Sequence, residues 1–562
     1  MIVATYIAKY LKEIGVTHVF GYDGSMMLKI ADEISLLDGI AFYQGFHEQA
    51  SSFAADAYAR IKGEVGVVLV TSGPGAINAL AGCADAFLDS IPMLIITGQD
   101  RLSHIESNPG VRLNGFQDLD IVQVAKPITK YSVQLTDASQ VAYELEKCFW
   151  IATEGRRGPV LLDVPMDVQF WEVPETLSHF VSNIKEKPIL DRMICSQIAE
   201  RIYRAKRPVL LAGGGIQIAH AGEELRRFVD MTGIPLMTTL NGHDACEEAA
   251  GTSGLYGHIQ ANLAIYHSDV LLAVGARFGQ QQVGKQIDEY TKADIIHVDI
   301  DEKEFGRVLH PAIPLQADVK DFLAYMCSVI DTGRLQDFTN WKRRILHWKE
   351  MFATELYVNT DCIDPVKLVE YIGNQCPGNA IFTNDVGQNT MWVSQGLKFK
   401  AHQRLLTSSG YAAMGFSLPA AIGAKMAASD STVVSFSGDG GFHMNLQELQ
   451  FVKMHKLDIK FVVFNNNTLG MMREVQRIYY NNNYVGSNVN EFTCVDLEKA
   501  AALYDLDYLM IQTEDDFERV GEAIKGGRAT IIDCRLPIDT YLRNWNDFKN
   551  EHPEVLKSIE KV

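Results

Sequence analysis

The chain has 562 residues, 47% of them hydrophobic and 22% charged, with a formal net charge of −19 at pH 7. That length predicts about three domains of roughly 150 residues each, with the composition of an ordinary globular protein. The charge leaves no basic stripe to neutralise phosphates, which disfavours a nucleic-acid partner, and no apolar run approaches the about 18 residues of a membrane span.

The first predicted element is a helix with Ile2, Tyr6, Ile7, Tyr10, Leu11 and Ile14 on one face. It lacks the basic start and cleavage site of a signal peptide. Nine cysteines stand singly without a C-x-x-C pair, as in a reducing compartment, so a cytoplasmic location is expected. Apolar strands then alternate with helical patterns, the signature of parallel α/β sheets. A first block, residues 1–172, holds predicted strands at 18–21, 67–71, 93–97 and 160–164. The polar stretch 173–188 reads as a linker. A second block, 189–330, holds strands at 208–212, 270–274 and 295–299. Residues 331–360, rich in Trp, Lys and Arg, read as a helical connection. A third block, 364–540, holds strands at 380–383, 433–436, 461–464 and 530–534, and a tail follows at 541–562. Blocks one and three read as doubly wound sheets of similar size.

The most informative segment lies in the third block. Ser-Gly-Asp-Gly-Gly at 437–441 is followed by helical spacing over 444–455, a buried strand, and Asn465-Asn466-Asn467. This is one βαβ unit with Asp439 at the tip of its first strand and Asn466 at the tip of its second. Parallel pairing brings both tips to one sheet edge, where ligands bind. Asp and Asn are hard oxygen ligands, suited to Mg²⁺ on a phosphate. Either turn by itself reads equally well as a plain turn; the joint spacing favours the metal.

Other segments carry candidate chemistry. Glu48 opens a helical run ending in Arg60, where an acid also suits the positive helix end. Gly73-Pro74-Gly75 follows a strand directly and lets backbone approach a ligand. Asp385-Val386-Gly387-Gln388-Asn389 follows another strand, a natural anion site. Met414 lies in an apolar, Gly-containing run where a Met alone is usually core. In the second block, glycines at 213–215, Gly275-Ala276-Arg277-Phe278 and His297–Asp301 form a weak nucleotide signal.

Gly-Asp-Gly followed at this interval by Asn-Asn resembles the diphosphate–Mg²⁺ signature of thiamine diphosphate enzymes. The resemblance runs almost end to end and is nearest the large subunit of acetolactate synthase. It implies three Rossmann-like, doubly wound α/β domains of the thiamine diphosphate-binding fold: pyrimidine-binding, central, and diphosphate-binding. It also implies roles. Phe46 to Arg60 resembles the element whose Glu, here Glu48, hydrogen-bonds N1′ of the aminopyrimidine. Gly73, Pro74 and Asn78 fall near the pyrimidine. Val386, Gly387, Gln388 and Asn389 fall on the diphosphate, and Gly438, Gly440 and Gly441 let backbone wrap it. Gly410 belongs to the segment whose Met414 wedges beneath the bent cofactor. Asp439, Asn466 and the backbone oxygen of Thr468 would bind Mg²⁺, with Gly470 and Met471 continuing the cofactor-binding stretch. Gly214 and Arg277 match FAD-binding parts, but the Asp-Asp-Arg that follows in the family is here Gly279-Gln280-Gln281. An empty or ADP-binding central domain therefore stays open.

The implied reaction is decarboxylation of a 2-oxo acid, pyruvate, with carboligation to a second carbonyl. Pyruvate as acceptor gives 2-acetolactate. Pyruvate decarboxylases carry a His-His pair and a Glu after Asn-Asn; this chain has no His-His, and Met472 holds that Glu position, which favours ligation over aldehyde release. Phe116 and Gln117 fall beside the second substrate. Met26 replaces a small residue and Val475 a family Trp, so a reshaped pocket and another acceptor, such as a nucleotide-linked keto-sugar, is the alternative. A pyruvate oxidase is a further one. An inactive regulatory paralogue is expected to lose Glu48, Asp439 or Asn466, all present here. The resemblance also implies a homodimer or homotetramer whose active sites are shared between subunits.

Overall fold

The computed structural model describes residues 1–105, 110–182, 188–285, 287–352 and 362–557. They form three entirely parallel sheets of six, five and six strands, in line with the expected α/β class. The first comprises β1 (His18–Tyr22), β2 (Ala41–Gln44), β3 (Gly66–Val70), β4 (Met93–Gln99), β5 (Tyr131–Gln134) and β6 (Pro159–Pro165). Its order is β2-β1-β3-β4-β6-β5. The second comprises β7 (Pro208–Ala212), β8 (Leu236–Thr238), β9 (Val270–Val274), β10 (Asp294–Asp299) and β11 (Ile313–Gln316), in the order β11-β10-β9-β7-β8. The third comprises β12 (Ile381–Asn384), β13 (Arg404–Thr407), β14 (Val433–Gly438), β15 (Ile459–Asn465), β16 (Asp507–Ile511) and β17 (Thr530–Arg535). Its order, β13-β12-β14-β15-β17-β16, repeats that of the first sheet. The central strands are continuous apolar runs because helices cover both faces of a parallel sheet.

The first and third sheets are joined through two helices, Glu48–Lys62 and Ser417–Ala427. They approach so closely that a Cβ on Gly423 would fall 1.9 Å from the carbonyl of Ala54. Small residues line both partners, and Phe53 packs edge-on against Phe416 at 5.5 Å.

Two expectations are corrected. The single helix expected over 444–455 is broken. A helix starts earlier, at Asp439–Met444, and another follows at Leu449–His455 after a 3₁₀ turn. The break falls at Asn445, whose side-chain amide donates to the Gly415 carbonyl at 2.7 Å. Asn competes with helical backbone in this way. Nor is the tail a loose end. Helix Trp545–Glu551 places Phe548 in the core of the central domain beside Phe352, and His267 Nε2 lies 2.9 Å from the Val555 carbonyl. Within the expected connection, helix Thr339–Met351 buries Trp341, Ile345 and Trp348 in that same core. Residues 353–360 of that connection, 183–187 of the expected linker and 558–562 of the tail lie outside the described residues.

Candidate active site

β14 and β15 pair in parallel with Gly438 opposite Phe464, so Asp439 and Asn466 emerge side by side at one sheet edge. Asp439 is buried. Its Oδ1 accepts from the Gly440 N–H at 2.8 Å, while its buried Oδ2 makes no hydrogen bond of good geometry among the described residues, though the Asn467 and Thr468 N–H groups also face the carboxylate. Burial pushes the carboxyl up to about 7. A divalent cation would satisfy that oxygen and keep it ionised. Asn466 donates weakly to Gln388 Oε1 at 3.5 Å, and Asn467 turns the chain with φ +54°. Thr468 is buried, its hydroxyl donating to the Ser487 carbonyl at 2.5 Å and its carbonyl accepting from the Gly470 N–H at 3.0 Å.

Among the described residues no group of three or more His, Cys, Asp and Glu side chains could hold a metal. The set here has one carboxylate, one amide and one main-chain oxygen. It fits a cation that also takes oxygens from a bound phosphate.

The neighbouring loops crowd this edge. A Cβ on Gly441 would lie 2.6 Å from Asp385 Oδ1, one on Gly470 2.1 Å from Gln388 Oε1, and one on Gly440 3.4 Å from Met414 Cε. Met414 therefore reaches the metal loop. Asp385 accepts from the N–H groups of Val386, Gly415 and Ser417, and burial pushes it up to about 6. It ties the Met414 segment to the loop after β12. Gly387, at φ +143°, leads into helix Gln388–Gly396, whose first N–H groups point out of the sheet edge. Asn389 is engaged internally, donating to Asn384 Oδ1 and the Asp385 carbonyl at 2.9 and 2.6 Å. Val386 follows Asp385 directly, and Met471 packs against the third-sheet core.

A second group forms in the first domain. Glu48 is the first residue of its helix and is buried. Asn78 donates to Glu48 Oε2 at 3.0 Å. Oε1 lies 3.1 Å from where a Cβ on Gly75 would stand. Gly73 holds φ +54° and precedes Pro74, the first residue of helix Pro74–Asp89. A Cβ on Gly73 would meet the Gln117 carbonyl at 2.9 Å, so the turn touches the candidate acceptor segment. Gln117 itself adopts φ +58°, and Phe116 is exposed, its N–H held by Asp100 Oδ2 at 2.8 Å. Among the described residues no hydrogen bond or ion pair joins the Glu48 group to the Asp439 group within one chain.

Two residues here were not foreseen. Glu448 is buried; both its oxygens accept from the Phe46 N–H, at 3.1 and 3.3 Å, and burial pushes it up to about 8. Glu474 is buried 3.4 Å from Gln388 Nε2, with Oε1 lacking a partner, and burial pushes it up to about 6. The only local sign of Glu448 is a single acid in the apolar run from Leu446 to Val452.

In the central domain, a Cβ on Gly213 would meet the Gly275 carbonyl at 2.0 Å and one on Gly214 would meet Asn241 Cβ at 3.0 Å. The glycines thus serve packing of loop on loop. Arg277 donates to the Leu88 carbonyl at 2.7 Å and lies 3.7 Å from Asp89. A Cβ on Gly410 would strike Asp89 Oδ1 at 2.5 Å. These groups are committed within the chain.

Comparison with known proteins decides the family. The profile described as "Thiamine pyrophosphate enzyme, N-terminal TPP binding domain" matches residues 1–124, the "central domain" profile 195–326, and the "C-terminal TPP binding domain" profile 385–534. The chain belongs to the thiamine pyrophosphate enzyme family. Within it, the chain is 37% identical over 502 residues to acetolactate synthase 2, chloroplastic, of Nicotiana tabacum, covering 86% of this chain and 74% of that one. It is 36% identical over 485 residues to the acetolactate synthase large subunit of Lactococcus lactis subsp. lactis (strain IL1403), covering 84% and 82%. It is 34% identical over 548 residues to that of Porphyra purpurea, covering 93% and 90%. This family member catalyses thiamine diphosphate-dependent decarboxylation and carboligation of the acetolactate synthase kind. No helix among the described residues is long and apolar enough to cross a membrane.

Proposed function

We propose that the chain transfers the two-carbon unit of pyruvate to a second pyruvate, giving 2-acetolactate, in a site built from the Glu48 group of one subunit and the Asp439 group of another. The observation that carries this reading is the buried Asp439 Oδ2, which makes no hydrogen bond of good geometry among the described residues, beside Asn466 at the tips of two paired strands. Asp439, Asn466 and the Thr468 carbonyl would hold Mg²⁺, and Gly387 with the N–H groups opening helix Gln388–Gly396 would hold the diphosphate. Bound thiamine diphosphate supplies the nucleophilic carbon and electron sink for loss of CO₂. Glu48 would share a proton with a pyrimidine ring nitrogen of the bound cofactor, its Oε2 fixed by Asn78. Met414 supports the cofactor from the side of the metal loop. Phe116 and Gln117 border the second substrate. Met472, in place of an acid, has no proton to give, which favours carboligation over aldehyde release. The two groups come from different chains of a homodimer or a larger assembly.

A second reading rests on Val475, which is partly exposed on helix Gly470–Tyr479 where the family has Trp. A smaller wall suits a larger acceptor carbonyl, such as a nucleotide-linked keto-sugar. Incubation with thiamine diphosphate, Mg²⁺ and pyruvate, run with and without oxygen, separates the readings. CO₂ with acetolactate supports the first, and CO₂ only on adding another carbonyl compound supports the second. Oxygen-dependent hydrogen peroxide would reject both in favour of an oxidase.

A further inference from the structure

Helix Pro74–Asp89 has Asn78, the partner of Glu48, in its first turns and two buried carboxylates, Asp85 and Asp89, at its far end. Those carboxylates grip the third domain more than three hundred residues away. Ser408 Oγ donates to Asp85 Oδ1 at 2.6 Å. The N–H groups of Ser409 and Gly410 donate to the two oxygens of Asp89 at 3.1 and 2.9 Å. Ser408 Oγ in turn accepts from the Ala413 N–H at 2.8 Å. The central domain reaches the same carboxylate, Asn241 Nδ2 donating to Asp89 Oδ1 at 3.1 Å. Asp89 is thus where all three domains meet.

The gripped segment is the one that carries Met414. Its backbone turns through left-handed conformations, sparsely populated for Ala412 at φ +59° and open to Gly415 at φ +85°. Such a segment keeps its shape only if both ends are fixed. Asp385 fixes the far end through Gly415 and Ser417, and Asp85 with Asp89 fixes the near end. Charge-assisted bonds to buried backbone N–H groups are the stronger kind. Gly410 belongs to this arrangement, since any side chain there would displace Asp89.

We infer that Asp89, with Asp85, is a positioning residue for the cofactor: it sets the Ser408–Met414 backbone and so the place of Met414 against the metal loop. The inference rests on the cofactor site proposed above. It is tested by calorimetric titration of thiamine diphosphate, with saturating Mg²⁺, into the cofactor-free full-length protein. Wild type, Asp89→Ala, Asp89→Asn and Gly410→Ala are compared, with thermal melting of each. The expected result is at least about tenfold weaker binding for Asp89→Ala, partial recovery in Asp89→Asn, which keeps one acceptor oxygen, and weakening by Gly410→Ala. Should Asp89→Ala fail to fold, Gly410→Ala still moves the segment while removing no buried polar group. Cofactor affinities within twofold of wild type, alongside lowered melting temperatures, would overturn the inference and leave Asp89 a purely structural clasp. Failure of the wild type to bind would instead strike the cofactor site itself, and the inference with it.

Discussion

Asn78 donates its side-chain amide to Glu48 Oε2 at 3.0 Å, bridging the first turns of two helices that follow β2 and β3. One carboxylate oxygen is tied and the other faces the Gly73–Gly75 turn. Glu48→Gln is expected to lower the rate of CO₂ release from pyruvate at least ~100-fold, within the range for loss of a proton-transferring group. Cofactor binding and melting temperature should stay near wild type. Near-normal turnover would remove Glu48 from the chemistry.

Asp439→Ala removes the buried Oδ2, which makes no hydrogen bond of good geometry among the described residues. Titration of thiamine diphosphate should then show at least ~10-fold weaker binding, with Mg²⁺ no longer strengthening it. A Mg²⁺ effect equal to that of wild type would place the cation elsewhere.

Much of this edge was legible in the sequence, because its signals are local. Asp439 and Asn466 end two apolar runs, and the register of β14 on β15 brings them level. The central strands were legible for the same reason. The strands that escaped, β2, β5, β8, β11, β13 and β16, all lie at sheet edges. Edge strands are covered less completely, so residues such as Pro314 in β11 and Asp507 in β16 interrupt the apolar pattern. Glu448, Glu474 and Asp89 escaped because each acts on a segment distant in sequence, as Glu448 does on Phe46. No periodicity reports such a contact.

Glu448 gives a pH dependence with a definite sign. Burial raises its folded-state value to about 8, above the ordinary carboxylate range. Between roughly pH 4.3 and about 8 the unfolded chain gives up this proton and the folded chain keeps it, so stability from this group falls as pH rises. Glu448→Gln should therefore flatten the decline in melting temperature between pH 5.5 and 8, measured on the cofactor-free protein. An unchanged slope would show that Glu448 ionises without cost. Glu448→Ala should slow catalysis, because it removes the acceptor that holds the Phe46 N–H two residues before Glu48.

Val475→Trp restores the bulk that the family has at this wall. With pyruvate and a larger aldehyde in competition, the variant should shift product toward acetolactate by roughly 10-fold, the scale on which shape alone discriminates. An unchanged product ratio would place the acceptor away from helix Gly470–Tyr479.

The central claim is that one active site takes Glu48 from one chain and Asp439 from another. Co-expressing Glu48→Gln with Asp439→Ala tests it, assayed at a thiamine diphosphate concentration too low for Asp439→Ala alone to turn over. Random pairing gives mixed dimers in half of the population, each with one intact and one doubly altered site, so about one quarter of wild-type activity should return. Purified mixed dimers with no activity would contradict the account, because both residues would then have to come from the same chain.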